Sequence, residues 1–379
     1  MTRSPSRVDP DGLLEYSVVF TDRALNHMSR RFGAVMRDIS SMLRQVYQAH
    51  AVALVPGGGT AGMEAVARQY ASGGKVLIVR NGWFSYRWSQ ILERGGIAAA
   101  TRVVKAQATG PERQAPFAPP PIDALVATIA AERPHVVFAP HVETASGILL
   151  PEDYLRRVAD AAHAAGSLFV LDAIASGALW IDMRAIGVDI LISAPQKSWS
   201  ATPCAAMVMF SAAAEARLAE TSGSSFTLDL ATWRRVMKAY EDGGHAYHST
   251  LPTDALMTLH KAMHDTLDTG MRATRAAQRE LGERVRALLA ERGFPSVAAP
   301  GFEAPGVVVS YTDDDTIHDG SAFREHGVQV AAGVPLGCDE PDHFKTFRIG
   351  LFGLDKLRDV DGTVTRLTRA LDAIAASRG

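Results

Sequence analysis

The sequence predicts an α/β fold: a large domain on a mainly parallel sheet, followed by a smaller C-terminal α+β domain. Three observations predict it. Short apolar runs rich in β-branched residues alternate with helical patterns through most of the chain, as parallel strands joined by helical crossovers do. A long pattern rich in Ala, Leu, Arg and Glu then runs from Pro252 to Arg292, long enough for a helix bridging two lobes. Beyond it the alternation resumes and closes with one more helical pattern. The length of 379 residues favours two lobes or one large α/β domain with an appendage.

In chain order, the predicted strands of the large domain are 51–55, 76–80, 136–139, 168–172, 190–193 and 206–210. Each is a short apolar run bounded by turn residues. The helical patterns among them are 33–47, 61–70, 84–94, 122–131 and 153–164, with apolar residues three and four apart. Residues 105–121 contain Ala106-Gln-Ala-Thr-Gly110 and the run Pro119-Pro-Pro121, lack a period and read as a surface loop. The domain boundary falls inside the bridging helix, giving a large domain over 1–260 and a small one over 261–379. Strands at 306–311, 328–332 and 346–351 and a helix over 356–376 complete the small domain.

Hydrophobic residues make up 47% and charged residues 21% of the chain, which excludes a disordered or fibrous protein. The formal net charge is −2 and Lys and Arg are dispersed, so nucleic acid is not an expected partner and a small molecule is. Cys204 and Cys338 form neither a disulfide framework nor a close-spaced metal motif. No stretch reaches the roughly 18 apolar residues that span a bilayer, and residues 1–12 lack a signal core. The expectation is a cytoplasmic, unexported protein with no membrane partner.

Two residues carry chemistry. Leu168-Phe-Val-Leu-Asp172 ends a buried strand in an acid, and Ile190-Leu-Ile-Ser-Ala-Pro-Gln-Lys197 places a lysine just past another. Strand ends on one edge of a parallel sheet face the same ligand. A pyridine ring fits there, with its nitrogen at the carboxylate and its aldehyde at the amine, which is what pyridoxal 5′-phosphate (PLP) requires. The lysine joins the aldehyde and later moves the substrate's proton, while the acid keeps the ring nitrogen protonated. Val55-Pro-Gly-Gly-Gly-Thr-Ala-Gly-Met-Glu64 follows a strand and opens a helix, so its amides can cradle a phosphate. Its spacing matches neither a dinucleotide fingerprint nor a nucleotide P-loop.

Together these residues resemble the class V aminotransferases of PLP fold type I, especially the alanine-glyoxylate and serine-pyruvate group, over roughly residues 26–376. The resemblance implies that Gly58, Gly59 and Thr60 bind the phosphate. It makes Phe84, in Asn81-Gly-Trp-Phe84, the aromatic residue on the ring, with Trp83 as alternative, and Thr144 a hydroxyl reaching the ring. Asp172, Ile174, Gln196 and Lys197 take the acid, ring-packing, phosphate-contacting and lysine positions. Tyr247-His-Ser-Thr-Leu-Pro252 looks like the segment whose Tyr and Thr, here Tyr247 and Thr250, reach the phosphate of the neighbouring subunit, implying a homodimer with shared sites. Phe347-Arg-Ile-Gly-Leu-Phe-Gly353 resembles the segment whose arginine, here Arg348, grips the substrate carboxylate.

The implied activity is transamination from a small amino acid to a 2-oxo acid such as glyoxylate or pyruvate, by a ping-pong sequence. Related folds also host PLP lyases and cysteine desulfurases, for which Cys338 would be the thiol, and a non-catalytic PLP-binding module is a third reading. The chain departs from the family at Leu14-Glu-Tyr-Ser-Val-Val-Phe-Thr21, where a Gly-Pro-rich segment is usual, and at His27-Met-Ser29, where His-Arg-Ser is usual. Its phosphate turn lacks the usual Ser and His at positions 58 and 60, leaving more to backbone amides. His27, His141, His245 and His248 show no ligand spacing, so no metal is expected there. Glu143 reads equally as a cofactor contact and as a loop carboxylate.

Overall fold

The computed structural model describes residues 13, 16–18 and 24–377, so most of the atypical segment 14–21 lies outside the described residues. A seven-stranded sheet is formed by β1 (Ala51–Pro56), β2 (Lys75–Arg80), β3 (Ala100–Lys105), β4 (Val136–Pro140), β5 (Leu168–Asp172), β6 (Ile190–Ser193) and β7 (Ala205–Phe210). Its order is β1-β7-β6-β5-β4-β2-β3. Strands β3, β2, β4, β5 and β6 pair in parallel, and β7 runs antiparallel to both β6 and β1. The mainly parallel sheet is therefore present.

Strands β4, β5 and β6 are buried at every position, which explains their unbroken apolar sequences. The sequence did not reveal β3. It is an edge strand with Ala100, Thr101 and Arg102 exposed, and only Val103 and Val104 contribute an apolar signal.

Helices α1 (Arg30–Tyr47), α2 (Gly59–Tyr70), α3 (Trp83–Gly95), α4 (Ile122–Glu132) and α5 (Glu152–Ala164) fall at the predicted patterns, their ends displaced by a few residues. Ser29 caps α1 by accepting the Phe32 amide at 3.1 Å, and the helix buries Phe32, Met36, Ile39 and Leu43 on one face. After β6 comes the single turn α6 (Pro195–Ser198), and α7 (Leu230–Glu241) precedes the predicted bridging helix.

That bridge is two helices, α8 (Thr253–Thr269) and α9 (Met271–Glu291). Gly270 separates them at φ 92°, a conformation that closes one helix and lets the chain turn. The loop predicted over 105–121 contains a short ribbon pairing Gln107–Ala108 with Phe117–Ala118.

A second sheet holds β8 (Val307–Tyr311), β9 (Ala331–Ala332) and β10 (Thr346–Gly350), with β10 central and antiparallel to both. The strand predicted over 328–332 is reduced to its last two residues. Leu281 and Val285 of α9, Val308, Phe347, and Leu371 of α10 (Val360–Ala376) form the core on this side. Another apolar cluster joins the sheets: Ala145, Ile148, Val307, Val309 and Leu336, with Phe84 and Phe352 packed against it. Arg348 on β10 is thereby held against the large sheet's ligand edge.

Candidate active site

The site forms where the parallel strands end, each strand delivering one loop. Beyond β1, the chain passes through Gly57 and Gly58 into α2, whose start has no side-chain cap. Its first amides are the free donors that attract an anion. A Cβ at Gly59 would lie 2.5 Å from Ile174 Cδ1, whereas one at Gly58 would meet nothing within 4 Å. Gly59 lets the turn close onto Ile174, and Gly58 borders open space. Arg87 of α3 reaches across, donating to Thr60 Oγ1 at 2.9 Å, which brings a cation to this helix start.

Past β2, Asn81 and Gly82 lead into α3, and Glu143 holds that helix start. The Glu143 carboxylate is fully buried and accepts the Phe84 amide at 3.2 Å, the Ser85 amide at 2.9 Å, the Ser85 hydroxyl at 2.6 Å and the Ala145 amide at 3.0 Å. Such a charge is tolerable inside a protein because its oxygens are paired and sit at a helix N-terminus. A Cβ on Gly82 would come within 2.7 Å of Glu143 Cγ, so only glycine admits the carboxylate. Glu143 is thus the loop carboxylate of the two readings. It fixes Phe84, and Thr144 beside it is buried.

Asp172 ends β5 directly opposite Ile192 of β6, which leads through Ala194 and Pro195 to Gln196 and Lys197 in α6. The Asp172 carboxylate is 7% exposed and accepts the Ile174 amide at 3.0 Å. Burial pushes its pKa up to about 6; the Ile174 amide opposes this, the Glu143 charge adds to it, and Lys197 and Arg87 pull it back. Lys197 is partly buried, and that burial lowers its pKa against the opposing pull of Asp172, with Arg348 lowering it further. Its Nζ lies 5.7 Å from the Phe84 ring centre and 5.8 Å from that of Phe352, within cation–π range of both.

Arg348 Cζ stands 5.6 Å from the same Phe84 ring. Its Nε donates to Ala332 O at 2.8 Å, which orients the guanidinium and leaves both terminal nitrogens for a planar anion.

Lys197, Phe84, Asp172, Ile174, Gly59, Thr60, Gln196 and Arg348 therefore gather as one group from five separate chain segments. Tyr247 and Thr250 stand differently: both are exposed, on the loop before α8, with their hydroxyls 3.4 Å apart. Arg87 and Phe352 were not singled out from the sequence. The register of α3 offered a signal for Arg87, which falls one turn after Phe84.

Two atoms test the fit of PLP. The buried Asp172 carboxylate sits at the site with one backbone donor, and Gln196 Oε1 is buried without a hydrogen-bond partner. A pyridinium N–H would satisfy the carboxylate, and the Gln196 amide, turned to present its N–H, would donate to a phosphate oxygen. With the uncapped α2 start and the partly desolvated Lys197, the residues present fit the cofactor.

Cys338 does not suit thiol chemistry. It is 5% exposed, its Sγ contacts Arg80 O at 3.4 Å, and burial, with the charges of Glu143 and Glu340, pushes its pKa up to about 12. His141 is packed as well: its Nδ1 pairs with Ser176 Oγ at 2.7 Å, and burial drives its pKa down to about 3.

A family model described as aminotransferase class-V matches residues 12–361. An alanine-glyoxylate aminotransferase of Oryctolagus cuniculus is 25% identical over 368 residues, covering 93% of this chain and 88% of the relative. An L-aspartate-glyoxylate aminotransferase of Paracoccus denitrificans is 30% identical over 339 residues, covering 87% and 81%. Among solved structures, the ureidoglycine-glyoxylate aminotransferase of Bacillus subtilis superposes with a TM-score of 0.78 at 20% identity, covering 93% of this chain and 87% of that one. Likeness at that identity speaks for the fold, which is PLP fold type I.

Proposed function

The chain belongs to the class V aminotransferases, and from that premise we propose that it moves an amino group from a small, alanine- or serine-like amino acid to glyoxylate or pyruvate by a ping-pong sequence. It is a PLP-dependent transaminase acting on a 2-oxo acid. The single observation carrying the reading that both substrates are carboxylates is Arg348, held 5.6 Å from the Phe84 ring that also flanks Lys197, and the choice of glyoxylate rests on the glyoxylate aminotransferases among the relatives. A carboxylate gripped there places its α-carbon beside the amine.

When bound, PLP supplies an electron sink for the bond broken at the substrate's α-carbon. The chain supplies the rest. The α2 start, Thr60 and Gln196 would hold the phosphate, and Phe84 and Ile174 would pack against the ring. Asp172 would hold a proton at the ring nitrogen, and Thr144 would offer its hydroxyl to the ring. Lys197, whose burial favours the neutral amine, takes the α-proton and returns it one step later. Arg348 fixes the substrate carboxylate and so orients the bond to be broken.

We further place the lobe boundary within α8, at residues 260–261, and the protein in the cytoplasm as a homodimer in which Tyr247 and Thr250 serve the neighbouring subunit's phosphate. Their exposure supports this, as do the exposed rings of Phe226 and Tyr247. Both cysteines are free and buried. No helix among the described residues is long and apolar enough to cross a membrane.

Mixing the holoenzyme with single amino acids, without a 2-oxo acid, tests the assignment. Alanine or serine converts the visible spectrum to that of the aminated cofactor, and glyoxylate or pyruvate restores it. A spectrum that regains its starting form unaided would mark a lyase, and one that never changes would mark a binding module.

A further inference from the structure

Away from the active site, three side chains aim ligand atoms at one point between α1 and α8. His260 Nε2 lies 3.0 Å from Asp38 Oδ2, His264 Nε2 lies 3.5 Å from the same oxygen, and the two imidazole nitrogens are 3.2 Å apart. The histidines stand one turn apart on α8, which puts both on one helix face. Asp38 comes from the neighbouring face of α1, 222 residues away in sequence.

The spacing is informative. In a tetrahedral site with ligands at 2.0–2.1 Å, ligand atoms are separated by roughly 3.3 Å. All three separations here fall close to that edge, so a cation at the common centre would meet all three at bonding distance without rearranging either helix. Protons hold such a trio less completely. A neutral imidazole carries one N–H, so whichever tautomers are present, protons bridge at most two of the three contacts: an Nε2 that donates to Asp38 has no lone pair left for the other imidazole.

We infer that Asp38, His260 and His264 form a binding site for a divalent late first-row metal ion, with Zn²⁺ as the representative ligand. Two imidazoles and one carboxylate suit such an ion better than Mg²⁺ or Ca²⁺, which take oxygen ligands. Asp38 and His264 are exposed and His260 partly so, which leaves a fourth position for water. Because its ligands come from two helices, the bound ion ties α1 to α8 and stabilises the folded chain without entering the amino-transfer reaction.

The test is equilibrium dialysis of the PLP-loaded enzyme against Zn²⁺, followed by metal counting, for the wild type, His264→Gln, Asp38→Asn and the double variant His260→Ala/His264→Ala. The wild type should retain one Zn²⁺ per chain more than the double variant, with at least a tenfold weaker affinity in each single variant. Its unfolding temperature should rise on adding Zn²⁺ while the double variant's does not. Amino transfer should be unchanged in all four, which also reports that the variants fold. Equal Zn²⁺ content in the wild type and the double variant, or an equal thermal shift in both, overturns the assignment.

Discussion

Glu143 accepts the Phe84 amide at 3.2 Å, so a buried carboxylate from one loop sets the aromatic wall that flanks Lys197. The same carboxylate accepts from both donors of Ser85, its amide and its hydroxyl, and so fastens the α3 start. Glu143 acts by positioning.

Replacing Glu143 with Ala leaves buried donors unpaired, at a cost of roughly 1–3 kcal/mol for each such group. The Ser85 hydroxyl can fall back on Gly82 O, so three amides are stranded, and we predict that Glu143→Ala lowers stability by at least about 3 kcal/mol and weakens PLP retention at least tenfold through displacement of Phe84. Urea unfolding of the apoenzyme and cofactor titration measure the two effects. A fully stable variant that binds PLP normally would show that other contacts hold Phe84.

Asp172 gives a pH signature. Its folded pKa, about 6, is raised above the ordinary value of 3.8, so the folded state favours the protonated form. That stabilisation is fully present below the unfolded pKa and is lost as pH rises through about 6. The apoenzyme of Asp172→Asn should match the wild type only below the ordinary value of 3.8, near about pH 3, and exceed it by roughly 2–3 kcal/mol above about pH 6, at 1.36 kcal/mol per pKa unit. In the holoenzyme the same change should slow amino transfer by roughly 10²–10⁴-fold. Parallel stability curves for the two apoenzymes would contradict the burial argument.

Arg348→Lys keeps the charge and loses the fork. A charge-assisted hydrogen bond contributes roughly 1.5–3 kcal/mol, so KM for the amino acid should rise about 10- to 150-fold with a smaller change in kcat. An amine lacking the carboxylate should react equally with both enzymes. Equal losses for acid and amine would place Arg348 outside carboxylate recognition.

Cys338→Ser should leave amino transfer within about twofold, because the thiol it removes is buried and held protonated by burial. Loss of sulfur release from cysteine in this variant, if the wild type showed any, would restore the desulfurase reading.

The sheet was legible because strands buried on both faces write themselves as unbroken apolar runs, and Asp172 stood out by ending one such run and Lys197 by following another. The edge strand β3 carries only half of that signal and was invisible. The break at Gly270 hid inside a composition that favours helix on both sides. Glu143, Arg87 and Phe352 owe their positions to contacts across the fold: 58 residues separate Ser85 from its carboxylate partner. The Asp38 cluster was hidden for the same reason. Its two histidines have helical spacing, but the sequence does not show which face of α1 meets them.

Borohydride reduction of the PLP-loaded enzyme, followed by peptide mass spectrometry, addresses the central claim most directly. One phosphopyridoxyl group per chain is expected, on Lys197, and none in Lys197→Ala. A modified lysine elsewhere, or an unmodified Lys197 in enzyme that retains the cofactor, would contradict it.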